Sequence, residues 1–79
     1  MKILYTGANG LLGQKISAAT PEYSNHVFLA TARGLNRTKN LGTAAYASMD
    51  ITDRLQIKSV LSKFRPDVII HGAAMTHVD

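Results

Sequence analysis

Three glycines at one strand-to-helix junction carry the first chemical signal: Gly7, Gly10 and Gly13, spaced G-x-x-G-x-x-G within YTGANGLLGQK. Gly7 permits a tight turn, Gly10 presents backbone with no side chain in the way, and Gly13 lets the following helix pack closely. Bare amide N–H groups and the positive end of a helix dipole then converge on one spot, which suits the paired phosphates of a dinucleotide. The expected contacts come from Gly7, Asn9, Gly10, Leu11, Leu12 and Gly13. The motif has one residue more than G-x-G-x-x-G, and it is not a nucleotide-hydrolase phosphate loop, since Gln14 and Lys15 follow Gly13 where G-K-[ST] is needed. Because such a turn also occurs without a ligand, corroboration has to come from further along the chain.

The elements around the motif set its context. Lys2 to Thr6 (KILYT) is a short apolar run that reads as a buried strand. From Leu11 the period becomes helical, with Leu12, Ile16 and Ala19 forming the expected core stripe and Thr20-Pro21 the stop. Val27 to Thr31 (VFLAT) is a second strand, 33–40 a polar loop, and Ala44 to Met49 (AAYASM) a weaker third strand. Ile57, Val60, Leu61 and Phe64 repeat at helical spacing; Asp53, with Gln56 three residues on, can cap that helix, and Arg65-Pro66 closes it. Val68 to Ile70 is a fourth strand, and Gly72 to Asp79 a loop after it. Tyr5, Phe28 and Phe64 fall on core-facing positions.

Strands alternating with amphipathic helices predict an α/β fold: a Rossmann-type parallel sheet in three α/β/α layers, present as the incomplete first half of a doubly wound domain. Residues 1–79 read as the N-terminal portion of an NAD(P)-binding Rossmann domain, with no second domain. The missing half is expected against the open edge of the fourth strand, so the segment by itself is expected to melt with poor cooperativity.

Strand two bears on cofactor choice. A ribose 2′-hydroxyl is usually read by a carboxylate about twenty or more residues past the glycines, whereas a 2′-phosphate repels an acid and attracts arginine. Thr31 and Ala32 occupy that position here, followed by Arg33 with Arg37 nearby, which favours NADP (NADPH) over NAD. An arginine in a polar loop is more commonly just solvated, and that alternative stays open.

Composition narrows the field. The net charge of +4 comes from lysines and arginines scattered along the chain, and only Arg33, Arg37 and Lys39 sit together, without interleaved aromatics. That pattern argues against nucleic acid and for a small anionic ligand. No apolar run is long enough to span a bilayer, and no secretory signal is visible. With no cysteine, disulfides and thiolate metal sites are excluded, and the chain reads as cytoplasmic. His71, His77 and Asp79 match no common zinc spacing, so no metal site is expected.

TGANGLLG (6–13), DITD (50–53), RPDVIIHGAA (65–74) and MTHVD (75–79) resemble, in order and interval, the N-terminal part of the extended short-chain dehydrogenases/reductases. Within them the nearest likeness is to the dTDP-4-dehydrorhamnose reductase group. The resemblance implies that Asp50 accepts from the adenine amino group and that the Ile51 backbone meets the ring. Asp50 could instead cap the next helix, although Asp53 is better placed to do so. It also implies that His71 to Ala74 pass beside the ribose and nicotinamide, with Ala73 and Ala74 leaving room and Thr76 donating to the cofactor. The family's proton-transfer pair is Tyr-x3-Lys, but Tyr5, Tyr23 and Tyr46 are followed four residues on by Asn9, Val27 and Asp50. No catalytic residue is therefore assigned.

Two functions of different class fit. One is the NADP(H)-binding part of a nucleotide-sugar reductase, expected in its complete form to act on dTDP-4-dehydro-6-deoxy-L-mannose. The other is a non-catalytic NADP-binding regulatory or scaffold subunit of the same fold. A nucleotide-sugar epimerase or dehydratase shares every residue named, and MTHVD tilts the reading to the reductase.

Overall fold

A computed structural model describes residues 1–72. The elements run β1 (Lys2–Thr6), α1 (Leu11–Ala19), a 3-10 turn (Thr20–Tyr23), β2 (Val27–Ala32), β3 (Ala45–Ser48), α2 (Arg54–Phe64) and β4 (Val68–His71). All three strand pairings are parallel, and the four strands lie in the order β3-β2-β1-β4. The chain thus builds outward from β1 to one side, then crosses to the other. This half of a doubly wound sheet puts every strand's carboxyl end on the same side.

Alternation along each strand splits the apolar side chains between two faces. Tyr5, Phe28, Ala30 and Ala32 point to one, where Ile3, Ile16 and Tyr46 pack on them. Leu4, Leu29 and Met49 point to the other, under Ile57, Val60, Leu61 and Phe64 of α2. The predicted α2 stripe therefore packs as expected, although none of its residues is fully buried.

The α1 stripe needs a correction. Leu12 is 40% exposed, and the residues that α1 buries are Gly13 and Ser17, one position further along. Small residues win because the helix backbone lies directly on the turn after β1, leaving no room for a leucine on the contact line. Ile16 packs at the edge of that line.

Helix ends follow local chemistry. Asp53 caps α2 by accepting from the N–H groups of Leu55 and Gln56, at 3.0 and 3.3 Å, and the Gln56 amide returns to its carboxylate at 3.1 Å. At the other end Arg65, barred from the α region by Pro66, takes a left-handed φ of 53° and donates to the Leu61 carbonyl. The 3-10 turn with Pro21 extends α1 slightly beyond its predicted stop.

β2 joins β3 through residues 33–44 without a helix. That connection is held to the 3-10 turn by Thr20, whose hydroxyl accepts from the Thr43 N–H at 2.9 Å. On β4, Val68, Ile69 and Ile70 are 39, 51 and 37% exposed, matching the expected open edge.

Candidate functional site

The glycine turn sits at the carboxyl end of β1. Gly7 has φ 70°, a left-handed conformation that favours glycine, and it reverses the chain out of the strand. The next amide, that of Ala8, donates to the Thr31 carbonyl of β2 at 3.0 Å, and the Gly10 N–H donates back to the Gly7 carbonyl at 2.9 Å. Together these bonds lock the turn to the sheet.

Gly10 is the N-cap of α1, in extended conformation (φ −82°, ψ 176°), and no side chain caps the helix. The first intrahelical bond is Gln14 N–H to the Gly10 carbonyl, at 3.0 Å. By helix geometry the N–H groups of Leu11, Leu12 and Gly13 therefore have no intrahelical partner, and the first turn carries no acid. α2 makes an internal contrast, since Asp53 fills its N-terminus. α1 thus leaves its positive end open at the strand ends, where an anion can take those donors.

Gly13 brings that end into place. A Cβ on it would collide with the Gly7 carbonyl oxygen and lie 2.5 Å from the Ala8 Cα, so only glycine lets the helix start rest on the turn. The close packing foreseen for Gly13 is real, but its partner is the turn backbone.

Asn9 turns its side chain to the β2–β3 loop. Its side-chain oxygen accepts from the Arg37 N–H at 2.8 Å, and its nitrogen donates to the Leu35 carbonyl at 3.3 Å. Thr38 donates to the Ala8 carbonyl at 2.9 Å. Asn9 and Thr38 thus staple the β2–β3 loop to the glycine turn.

Arg33 lies just past β2, its side chain 85% exposed, with Nε 3.6 Å from the Asp50 carboxylate. Asp50 also accepts from the Thr52 N–H and hydroxyl at 2.9 and 2.7 Å. These Thr52 bonds chiefly, with Arg33 adding a little, hold its carboxyl below the ordinary 3.8. Both Thr52 bonds fall on Oδ1, and the 3.6 Å contact of Arg33 with Oδ2 is too long for a hydrogen bond, so the carboxylate keeps acceptor capacity. Asp50 does not cap α2 with its side chain; its N–H donates to Gln56 at 2.9 Å. The 38% exposed Ile51 lines an apolar cleft with Leu4, Thr6, Met49, Ile69 and His71.

At the other flank Thr6 and the His71 ring nitrogen lie 2.8 Å apart. A Cβ on Gly72 would sit 2.7 Å from the Thr6 carbonyl oxygen, so β4 ends hard against β1. Ala73, Ala74 and Thr76, expected near the nicotinamide, lie outside the described residues.

Sequence reasoning missed Thr38, Tyr46 and Ser48. The Tyr46 hydroxyl is 2.8 Å from the Gly34 carbonyl and 3.2 Å from that of Ala32, while the Ser48 hydroxyl accepts from the Gly34 N–H at 3.2 Å. The available signal was the two-residue spacing of Tyr46, Ser48 and Asp50, which puts polar groups on one side of β3. The Tyr5 hydroxyl points inward to Ser17, 2.5 Å away, and burial pushes its pKa up. It is a packing group, not a proton donor to a ligand.

A family model described as RmlD substrate binding domain matches residues 1–79. A GDP-6-deoxy-D-talose 4-dehydrogenase from Aggregatibacter actinomycetemcomitans is 35% identical, and a dTDP-4-dehydrorhamnose reductase from the same organism 30% identical. The methionine adenosyltransferase 2 subunit beta of Danio rerio is 32% identical. Each alignment covers 99% of this chain and 22% of the relative, so the chain spans less than a quarter of their length. A dTDP-glucose 4,6-dehydratase from Bacillus anthracis, solved in complex with NAD, superposes with TM-score 0.71 at 18% identity over 91% of this chain and 26% of that one. This last likeness shows the shared Rossmann fold.

Proposed function

We propose, from the premise that this chain belongs to the RmlD substrate binding domain family of nucleotide-sugar reductases and dehydratases, that residues 1–79 are the N-terminal portion of an NADP(H)-binding domain in a nucleotide-sugar reductase. The observation that carries the reading is the open N-terminus of α1 at the carboxyl end of β1, with three N–H donors and no acid in its first turn.

Each residue then has a task. Gly7, Asn9, Gly10, Leu11, Leu12 and Gly13 form the pyrophosphate seat through backbone groups, with Asn9's side chain bracing it. Asp50 would accept from the adenine amino group, with the Ile51 backbone against the ring. Arg33, exposed just past β2, would pair with the 2′-phosphate through its guanidinium. Ala73, Ala74 and Thr76 border the ribose and nicotinamide. Bound there, the dinucleotide supplies a hydride for the keto carbon of the sugar, for which we propose dTDP-4-dehydro-6-deoxy-L-mannose. The matching proton comes from a Tyr-x3-Lys pair elsewhere in the protein. Among the described residues no helix is long and apolar enough to cross a membrane, and we place the protein in the cytoplasm.

A second reading is a non-catalytic NADP-binding subunit, favoured by the 32% identity to a methionine adenosyltransferase 2 subunit beta. NADPH oxidation by the whole protein on addition of the dehydro sugar supports the first reading; NADPH binding without turnover supports the second. Gly10→Val, measured by calorimetry, is expected to abolish NADPH binding in either case. Unchanged affinity would remove the phosphate seat and both readings with it.

A further inference from the structure

The arginine that selects the cofactor has to be held as well as present. Arg33 is long and exposed, and fixing such a side chain on a ligand costs rotamer entropy, so the backbone that aims it matters. Bonds on both sides of it fix the backbone from which that side chain projects.

On one side, the single proton of the Tyr46 hydroxyl is shared between the carbonyls of Ala32 and Gly34, the two residues flanking Arg33. Ser48 takes the Gly34 N–H, and the Asp50 carboxylate stands 3.6 Å from Nε. Gly34 itself has φ 81° with open space around it, so backbone conformation, not crowding, suits this position to glycine. On the other side, Asn9 takes the Arg37 N–H and Thr38 the Ala8 carbonyl, which ties the same loop to the pyrophosphate seat. Burial pushes the Tyr46 hydroxyl's pKa up, against the smaller opposing influence of Asn9 and Arg37, so it stays protonated and donating at neutral pH.

We infer that Tyr46, with Ser48 beside it, is a positioning residue for cofactor choice: it clamps the Ala32–Gly34 turn so that Arg33 meets a ribose 2′-phosphate. A neutral 2′-hydroxyl gains less than a phosphate dianion from an arginine held in that way, so the clamp acts on the ratio of affinities. This rests on the NADP reading of Arg33.

The test uses the whole protein and compares NADPH with NADH by calorimetry in the parent, Tyr46→Phe, Ser48→Ala, Arg33→Ser and the Tyr46→Phe/Arg33→Ser double variant. Loss of one hydrogen bond is expected to weaken NADPH binding about threefold to tenfold in Tyr46→Phe, with NADH changed less than about twofold. Ser48→Ala shifts the ratio in the same direction, and in the Arg33→Ser background Tyr46→Phe shifts it no further. Equal losses for both cofactors, or an unchanged ratio in Tyr46→Phe when Arg33→Ser abolishes the preference, overturn the clamp and leave the cofactor reading standing. A parent without NADPH preference, or one whose preference survives Arg33→Ser, overturns both. If Tyr46→Phe does not fold, Ser48→Ala decides by the same criteria.

Discussion

Replacing Gly13 by alanine sets two physical effects against each other. Helix propensity favours the change by about 1 kcal/mol, less in a first turn than in a helix interior. The packing opposes it, because the new methyl would overlap the Gly7 carbonyl oxygen, with the Ala8 Cα at 2.5 Å and the Ala8 carbonyl carbon at 2.8 Å. Carbon atoms prefer separations of about 3.5–4.0 Å, so the overlap is on the order of 1 Å. All three neighbours are backbone, and no rotamer change relieves them. α1 has to lift away from the turn, an overpacking cost of about 1–3 kcal/mol, at the upper end for a rigid backbone neighbour. The expected net destabilisation is about 1–2 kcal/mol, and the displaced N–H groups should also weaken the dinucleotide binding proposed above. Urea midpoints of the whole protein measure the first effect and calorimetry the second. If Gly13→Ala is as stable as the parent or more so, propensity has won and the close seating of α1 on the turn is wrong.

Two further outcomes test the interior and the charges. Tyr5→Phe leaves the buried Ser17 hydroxyl without its tyrosine partner and should cost about 1–3 kcal/mol by thermal or urea melts, with most of the loss recovered in Tyr5→Phe/Ser17→Ala; no recovery would mean the pair is not the source of the cost. For Asp50, a folded-state pKa held below 3.8 gives stability that is present above the ordinary carboxylate value and lost as pH falls through the depressed one. The stability gap between parent and Thr52→Ala should therefore shrink on acidification below about pH 4, and urea midpoints showing a gap that widens there would refute the assignment.

Much of the fold was legible because the signals are local. A proline stop, an aspartate followed three residues later by glutamine, and period-2 or period-3.6 runs each report on neighbours along the chain, so Asp53 and the α2 stripe were recovered from spacing alone. The uncapped start of α1 was foreseeable for the same reason: glycine at the N-cap and no acid after it are both written in the sequence.

Rotation of a helix on a sheet is not local, and there the reading of Leu12 failed. Periodicity says which residues share a face of α1. Only the seating of Gly13 on the Gly7–Ala8 backbone turns Ser17 inward and leaves Leu12 half out. Side-chain errands that cross the fold were equally hidden: Asn9 reaches Arg37, 28 residues away, and Tyr46 reaches back 12 residues to Gly34. The amino-acid order by itself determined where the backbone can bend, begin a helix or extend, since those preferences reside in each residue and its near neighbours. Tertiary structure alone decided which polar atoms meet, because a hydrogen bond requires two groups within about 3 Å and that proximity arises only after the strands align.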